Sequence, residues 1–153
     1  MATSDTGDGV GAATDGGVEG SETGSDARRL GFVGDVMLGR NVDRRRAADP
    51  PGTVWGDVLP RLRACDGLFG NLECCLSTRG EEWTRTRRAF HFRANPAWAV
   101  PALQAAGFDW LSLANNHVLD YEEVALHDTI DALENGEIAY TGAGLDEAEA
   151  WAP

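Results

Sequence analysis

Three apolar stretches of this chain run into short polar segments, and this feature limits the fold more than any other. The stretches cover residues 30–38, 67–72 and 108–114, and the polar segments in or just after them are Gly34-Asp35, Asn71-Leu72-Glu73 and Asn115-Asn116-His117. Residues 30–38 carry apolar, aromatic and β-branched side chains, which is typical of a strand that is buried on both faces of a parallel sheet. We therefore predict three strands of one sheet, each with polar side chains at its end.

Helical patterns separate the predicted strands. Residues 96–106 fit a helix that Asn95 can cap, and Pro101 inside this segment predicts a break or a restart. Residues 121–135 place an apolar side chain on one face every three to four positions, and residues 138–141 read as a fourth strand. Strands that alternate with helices imply βαβ units, so the predicted fold class is α/β with parallel strands.

The first 27 residues differ in composition from the rest of the chain. They contain six acidic residues, no basic ones, seven glycines and no Leu, Ile, Phe, Trp or Tyr. Such a segment cannot bury enough apolar surface to offset the entropy lost on ordering. We predict that residues 1–27 are a disordered acidic leader and that residues 28–153 form the domain, which is large enough to bury about two-thirds of its unfolded surface.

Charge and cysteine content narrow the classes of function. The formal net charge is −12, and all 13 basic residues are arginine. An acidic, lysine-free chain is typical of salt-loving organisms, and a GC-rich genome is the alternative explanation. Nucleic-acid binding is not expected, because phosphate contacts supply most of that affinity. The three cysteines Cys65, Cys74 and Cys75 form no C-x-x-C pair, which favours free, buried thiols in a reducing cytosol.

One segment has some features of an export signal. Arg28-Arg29 precedes a short apolar run, as at the start of a twin-arginine signal, but Asp35 interrupts the run and no clear cleavage site follows. No stretch approaches the roughly 20 apolar residues of a transmembrane helix. We expect a cytoplasmic protein without a transmembrane segment, with association at the cell envelope as the alternative.

The polar segments are candidates for a binding or catalytic site. Ligands of an open parallel sheet gather beyond the carboxyl ends of the strands, where Asp35, Glu73, Asn116 and His117 are expected to lie. This mixture of oxygen and nitrogen donors suits Mn, Fe, Zn or Mg. Each residue also has a structural interpretation: Asp35 as a turn residue, Glu73 as a solvated or ion-paired carboxylate, and His117 as a structural histidine. Asn71 and Asn115 have the same alternative, since asparagine often stabilises turns through the backbone.

These residues stand in motifs that resemble a known family. The chain resembles the amino-terminal portion of the CapA family of poly-γ-glutamate capsule-synthesis proteins, which have a calcineurin-like metallophosphoesterase fold. The matching segments are Gly34-Asp35-Val36-Met37-Leu38, Gly70-Asn71-Leu72-Glu73, Phe90-His91-Phe92, Ala106-Gly107-Phe108-Asp109, the run from Leu113 to Tyr121, Asp128-Thr129, and Thr141-Gly142-Ala143-Gly144. The resemblance therefore implies a partial metallophosphoesterase-like sandwich over residues 30–153.

The resemblance also implies roles for the site residues. Asp35, Glu73 and Asn116 correspond to metal ligands, and His117 to a general acid or transition-state stabiliser. Asn71 and Asn115 are implied as substrate-binding residues. The expected cofactors are divalent Mn, Fe, Zn or Mg ions, and the expected substrate is an anionic polymer or a phosphoester. Metal ions can hold the attacking and leaving oxygens while an imidazole supplies a proton, so a metal-dependent hydrolase acting in capsule-polymer biosynthesis is implied.

The chain also departs from the family pattern. Glu122 follows Tyr121 where the family usually has glycine. The family domain continues beyond Pro153 and there supplies further histidines, so we expect a truncated chain, with a partner chain supplying the missing half. The alternative is a non-catalytic remnant or binding subunit. His91 and His127 are not expected to replace the missing ligands.

Four arginines flank the Phe-His-Phe stretch, namely Arg85, Arg87, Arg88 and Arg93. They could bind an anionic substrate through charge-assisted hydrogen bonds. A solvated counter-charge to the acidic remainder is the favoured interpretation, because runs of surface charge are usually solvated.

Overall fold

The computed structural model describes residues 27–152, so almost all of the predicted leader lies outside the described residues. The strands are β1 (Leu30–Val36), β2 (Gly67–Leu72), β3 (Cys75–Leu76), β4 (Arg93–Ala94), β5 (Trp110–Ser112) and β6 (Ala139–Thr141). The helices are α1 (Asn41–Arg46), α2 (Leu59–Leu62), α3 (Pro96–Ala106), α4 (Glu122–Asn135) and α5 (Glu147–Ala150), and a 3₁₀ helix covers Pro51–Val58. No helix among residues 27–152 is long and apolar enough to cross a membrane.

Four strands form the main sheet in the order β1-β2-β5-β6, and every pair is parallel. Helices α1 and α2 lie between β1 and β2, helix α3 lies between β2 and β5, and helix α4 connects β5 to β6, so each parallel pair of the main sheet is joined through helical structure. Strands β3 and β4 form a separate parallel pair. The predicted α/β class with parallel strands is confirmed, and the arrangement is consistent with a partial metallophosphoesterase-like sandwich.

Helix α3 begins and ends on residues that favour those positions. The Asn95 side chain accepts a hydrogen bond from the backbone nitrogen of Ala97 at 2.9 Å, and Gly107 adopts the left-handed conformation with φ 86°. The break predicted at Pro101 is wrong, since the helix is continuous from Pro96 to Ala106. Pro101 deprives only the carbonyl of Ala97 of its helical partner, and Ala97 is exposed, so water can reach that end of the helix.

The two faces of the main sheet differ. Leu68, Leu72 and Leu111 are buried in one core with the apolar faces of α3 and α4. On the opposite face the Phe32 ring stacks on the Phe69 ring at 5.0 Å but stays 74% exposed. The prediction that β1 is buried on both faces is therefore wrong, because the described helices cover only one side of this edge strand.

Smaller differences concern the ends of elements. The predicted first and third strands are shorter in the structure and end at Val36 and Ser112. Between the first two strands the chain forms α1 and then a 3₁₀ helix that leads directly into α2. These changes leave the carboxyl ends of β1, β2 and β5 at one edge of the sheet, and the polar segments follow there.

Candidate functional site

A row of polar residues crosses the sheet near the carboxyl ends of its strands. The strand register places Asp35 beside Asn71, Asn71 beside Ser112, and Ser112 beside Thr141. Glu73 directly follows β2, and its backbone nitrogen donates to the carbonyl oxygen of Val36 at 3.0 Å. Pairing between β1 and β2 thus extends one residue beyond the strand and brings a second carboxylate near Asp35.

The Asn71 side chain joins the two carboxylates. Its Nδ2 donates to Oδ1 of Asp35 and to Oε1 of Glu73, both at 2.9 Å. Its Oδ1 accepts a hydrogen bond from Nδ2 of Asn115 at 3.0 Å, which is consistent with this orientation of the amide. One amide nitrogen therefore holds two acidic side chains from neighbouring strands against their mutual repulsion.

Asn115 stabilises the turn that carries His117. Its Nδ2 also donates to the carbonyl oxygen of Leu72 at 2.9 Å, and its Oδ1 accepts from the backbone nitrogen of His117 at 2.9 Å. Gly142 packs against the start of this turn with φ 90°, and a Cβ atom there would lie 2.8 Å from the nitrogen of Ala114. These contacts match the turn-stabilising interpretation of Asn115, and the substrate-binding role of Asn71 and Asn115 stays a prediction.

The His117 imidazole lies between two carboxylates. Its Nδ1 is 2.6 Å from Oδ2 of Asp120, and its Nε2 is 3.5 Å from Oε2 of Glu73. The Phe92 ring packs on the imidazole with centroids 4.1 Å apart. Because a carboxylate accepts hydrogen bonds, this contact places the ring proton on Nδ1, and Nε2 faces Glu73.

Asp120 is the functional residue to which the sequence analysis gave no role. It is fully buried and accepts hydrogen bonds from a guanidinium nitrogen of Arg88 at 2.6 Å and from the backbone nitrogen of Phe92 at 2.8 Å, in addition to His117. The signal that could have found it is the spacing, since Asp120 stands three residues after His117 within the family motif. Asp120 orients the imidazole and ties the Phe-His-Phe stretch to it.

Asn116 is placed differently from the other predicted ligands. It is exposed, and its backbone carbonyl accepts a hydrogen bond from Arg88. Among residues 27–152, no hydrogen bond joins the Asn116 side chain to Asp35 or Glu73. The structure thus connects Asp35, Asn71, Glu73, Asn115, His117, Asp120 and Arg88 in one chain of contacts, and leaves Asn116 at its border.

The donor types fit a divalent cation, whereas the arrangement supplies only part of a coordination shell. Asp35 and Glu73 offer carboxylate oxygens, Asn116 an amide oxygen and His117 a ring nitrogen, which are ligands for Mg, Mn, Fe or Zn. Within the described part of the chain, however, no three His, Cys, Asp or Glu side chains are grouped closely enough to hold an ion. The metal-ligand roles of these residues remain predictions.

Two buried thiols lie next to the polar segments. Burial raises the pKa of Cys74 to about 12 and that of Cys75 to about 11. The Cys75 thiol donates to the carbonyl oxygens of His117 and Val118 at 3.3 and 3.4 Å. Both cysteines are therefore small buried side chains, as predicted. Through its two hydrogen bonds, Cys75 also stabilises the turn that carries His117.

The remaining histidines and most of the flanking arginines have other partners. His91 contacts the carbonyl oxygen of Trp83 through Nε2 at 2.9 Å, and His127 is exposed on α4. Arg85 pairs with Glu122 at 2.6 Å, and Arg93 donates to the carbonyl oxygens of Arg79 and Gly80. The solvated counter-charge interpretation fits Arg85, which is exposed, but not Arg88, which pairs with the fully buried Asp120.

Comparisons with known proteins identify the family and several relatives of this chain. A family model described as "Bacterial capsule synthesis protein PGA_cap" matches residues 29–153. The chain is 36% identical over 116 residues to "Capsule biosynthesis protein CapA" of Bacillus anthracis, a match that covers 74% of this chain and 28% of that protein. It is 29% identical over 125 residues to "PGA biosynthesis protein CapA" of Bacillus subtilis, covering 82% and 32%.

A third relative is a "Probable polyglutamine synthesis accessory protein" of Mycobacterium tuberculosis, which is 34% identical over 146 residues. That match covers 74% of this chain and 38% of the relative. The chain therefore spans about a third of the length of the curated relatives that it matches.

Proposed function

The chain belongs to the bacterial capsule synthesis protein PGA_cap family, and from this premise we propose that it acts in the synthesis of a capsule polymer of the poly-γ-glutamate type. The printed names of the relatives support the proposal, since two refer to capsule or PGA biosynthesis and one to a polyglutamine synthesis accessory role. The fold and the site residues of this chain lie within the matched region.

One observation carries the proposal that this region forms a reactive site. The contacts from Asp35 through Asn71 and Glu73 to His117 and Asp120 are continuous. Two carboxylates that share one amide donor keep further acceptor positions, which suits the binding of a cation. In our proposal the oxygens of Asp35 and Glu73 hold a divalent cation such as Mn, Fe, Zn or Mg, and Asn116 is a further ligand predicted from the family motif.

When bound, such an ion would polarise a phosphoester or a comparable anionic group. The residues of this chain orient the imidazole, supply the proton and hold the carboxylates together. Asp120 keeps the proton of the imidazole on Nδ1 and so presents Nε2 toward the Glu73 side. Protonated, His117 can donate from Nε2 to a leaving oxygen, which is the role of a general acid. Asn71 keeps Asp35 and Glu73 together before a ligand arrives.

The enzymatic part of the proposal is tested with a chromogenic phosphodiester, bis(p-nitrophenyl) phosphate, and added Mn²⁺. We expect Mn²⁺-dependent hydrolysis that falls by roughly 10²- to 10⁴-fold in His117→Ala, the range for loss of a general acid. His127→Ala is the matched control, because His127 is an exposed histidine on α4, and this variant should keep the activity. Hydrolysis that is absent, or equal in the two variants, contradicts an enzymatic role for His117.

A second function, binding of an anionic polymer without catalysis, is favoured by a separate observation. A cavity of about 440 Å³ beside His117 is lined by residues 86–90 together with Asn116 and His117, and it contains two arginines. Such a cavity can bind an anion without a metal ion. Anion binding by a chain that lacks Mn²⁺-dependent hydrolysis would favour this second function.

A further inference from the structure

We propose that the cavity beside His117 is an oxyanion-binding subsite in which Arg87 is the residue that contacts the ligand. The inference rests on the proposed function, because the cavity shares His117 with the carboxylate site. It adds a binding group and a ligand class, namely a carboxylate or phosphate group. The first support is the composition of the walls.

The cavity walls contain hydrogen-bond donors and no carboxylate. Thr86, Arg87, Arg88, Asn116 and His117 can all donate, and the remaining wall residues are Ala89 and Phe90. This is unusual for a chain with 25 acidic and 13 basic residues. An anion that enters this cavity therefore meets hydrogen-bond donors in place of the acidic side chains that are common on the rest of the surface.

The two arginines of the cavity differ in how far their guanidinium groups are already engaged in hydrogen bonds and ion pairs. Arg88 is 20% exposed, and its guanidinium is engaged with Asp120 and with the carbonyl of Asn116. Arg87 is exposed, and among residues 27–152 its guanidinium has no ion pair, hydrogen bond or ring contact. Arg88 thus fixes the segment to the His117 turn, and the next guanidinium in the chain keeps its five donors for a ligand.

The aromatic wall residue of the cavity, Phe90, is held by ring contacts. Phe90 stacks on Phe92 with centroids 6.2 Å apart, and Phe92 packs on His117. The Arg40 guanidinium lies 4.7 Å from the centroid of the Phe90 ring. Phe90 is 52% exposed but is held in place by these contacts. The segment between β3 and β4 therefore holds its side of the cavity in place without a ligand.

The size and the donors together define the ligand class. A volume of about 440 Å³ lies within the range of small-ligand pockets and exceeds the space that one phosphate group needs. A free guanidinium binds carboxylate and phosphate in the same two-pronged geometry. The ligand is therefore an oxyanion, either a pendant carboxylate of an acidic polymer or a phosphate group.

The test uses the whole chain at low salt after metal ions have been removed with a chelating resin, so that its result is independent of Mn²⁺-dependent hydrolysis. Binding of a γ-linked glutamate oligomer and of inorganic phosphate is measured by calorimetry for the wild type, Arg87→Gln, Arg87→Lys and Arg61→Gln. Arg61 is the control because it is also an exposed arginine, and α2, which carries it, precedes the opposite end of β2 from the site.

We expect at least one probe to bind, with affinity reduced about fivefold or more in Arg87→Gln, less in Arg87→Lys, and unchanged in Arg61→Gln. Binding of the oligomer alone assigns the site to the polymer carboxylate, and binding of phosphate as well assigns it to oxyanions in general. In the wild type, the backbone amide signals of residues 86–90 and 116–117 should shift in an NMR titration. The subsite is contradicted if neither probe binds, if both glutamine variants lose affinity equally, or if the shifts lie elsewhere.

Discussion

The contacts that run from Asp35 through Asn71, Glu73 and His117 to Asp120 form a polar network. Its two ends are built differently. At its outer end Asp35 is exposed, and the only side-chain hydrogen bond that its carboxylate makes within residues 27–152 is with Asn71. At its inner end Asp120 is fully buried and accepts from three donors on two segments, namely Arg88 and Phe92 on one and His117 on the other. The inner carboxylate therefore belongs to the folded framework, whereas the outer carboxylates keep acceptor capacity for a ligand.

This difference has a physical cause. A buried carboxylate is tolerated only when hydrogen bonds and an opposite charge replace its hydration, and Asp120 has both. Asp35 is exposed and keeps part of its hydration, so the protein need not supply all of its hydrogen bonds. A ligand that brings positive charge can then replace that water at low cost.

The inner end should be the most sensitive part of the network. Asp120→Ala leaves the Arg88 guanidinium and the Phe92 nitrogen without their acceptor, so the free energy of unfolding should fall by about 3–5 kcal/mol. Asp35→Ala should change it by less than about 0.5 kcal/mol, as at an exposed site. Urea unfolding of both variants measures the difference. Equal losses would show that the two ends are not distinct.

The middle of the network can be tested with adjacent asparagines. Asn115→Ala removes the partner of Asn71 Oδ1, of the Leu72 carbonyl and of the His117 nitrogen, so we expect a loss of about 1–3 kcal/mol. Asn116→Ala, at an exposed neighbour, should cost less than about 0.5 kcal/mol. The same unfolding experiment compares them. A larger loss at Asn116 would contradict the order of contacts described above.

A smaller effect is expected at Glu122, directly after the inner end. Its φ is 66°, a conformation that favours glycine, which explains why glycine suits this position in the family pattern. The ion pair with Arg85 at 2.6 Å offsets part of the strain. Both Glu122→Gly and Glu122→Ala remove that pair, so the glycine variant should be more stable than the alanine variant by about 1 kcal/mol. Equal melting curves for the two variants would show that the backbone at position 122 is not strained.

Thiol labelling examines the inner end without changing its stability. Cys75 is buried under the His117 turn with its pKa raised to about 11, and Cys74 is buried with a pKa of about 12, so neither should react with iodoacetamide at pH 8. Mass spectrometry should find at most one label per folded chain, on the partly exposed Cys65, and three after unfolding. Rapid labelling of Cys75 would show that the turn opens.

The same thiols give a direction for the effect of pH. The pKa of each buried thiol is higher in the folded chain than the ordinary value of 9.0, so the unfolded chain loses these protons first as the pH rises. The thiol contribution to the free energy of unfolding is fully present below about pH 9 and is lost progressively as the pH rises through about 11 and 12.

The sequence was informative where local pattern and tertiary structure agree. The strand Gly67–Leu72, the cap at Asn95 and the placement of Asp35, Glu73 and His117 at strand ends could all be predicted, because each depends on residues close together in the chain. Burial of β1 could not, since it depends on which face the helices cover. The role of Asp120 also escaped prediction, because two of its three donors, Arg88 and Phe92, lie about 30 residues away in a segment without regular structure.

The central claim is that the outer carboxylates form a ligand-ready site while the inner end is closed by the fold. Paramagnetic broadening of backbone amide signals by Mn²⁺ tests it most directly, because the effect reports position without requiring activity. We predict that substoichiometric Mn²⁺ broadens the amide signals around Asp35 and Glu73 first and that Asp35→Asn abolishes this selectivity. Broadening that is uniform over the acidic surface, or that centres on α4 and survives Asp35→Asn, would contradict the claim.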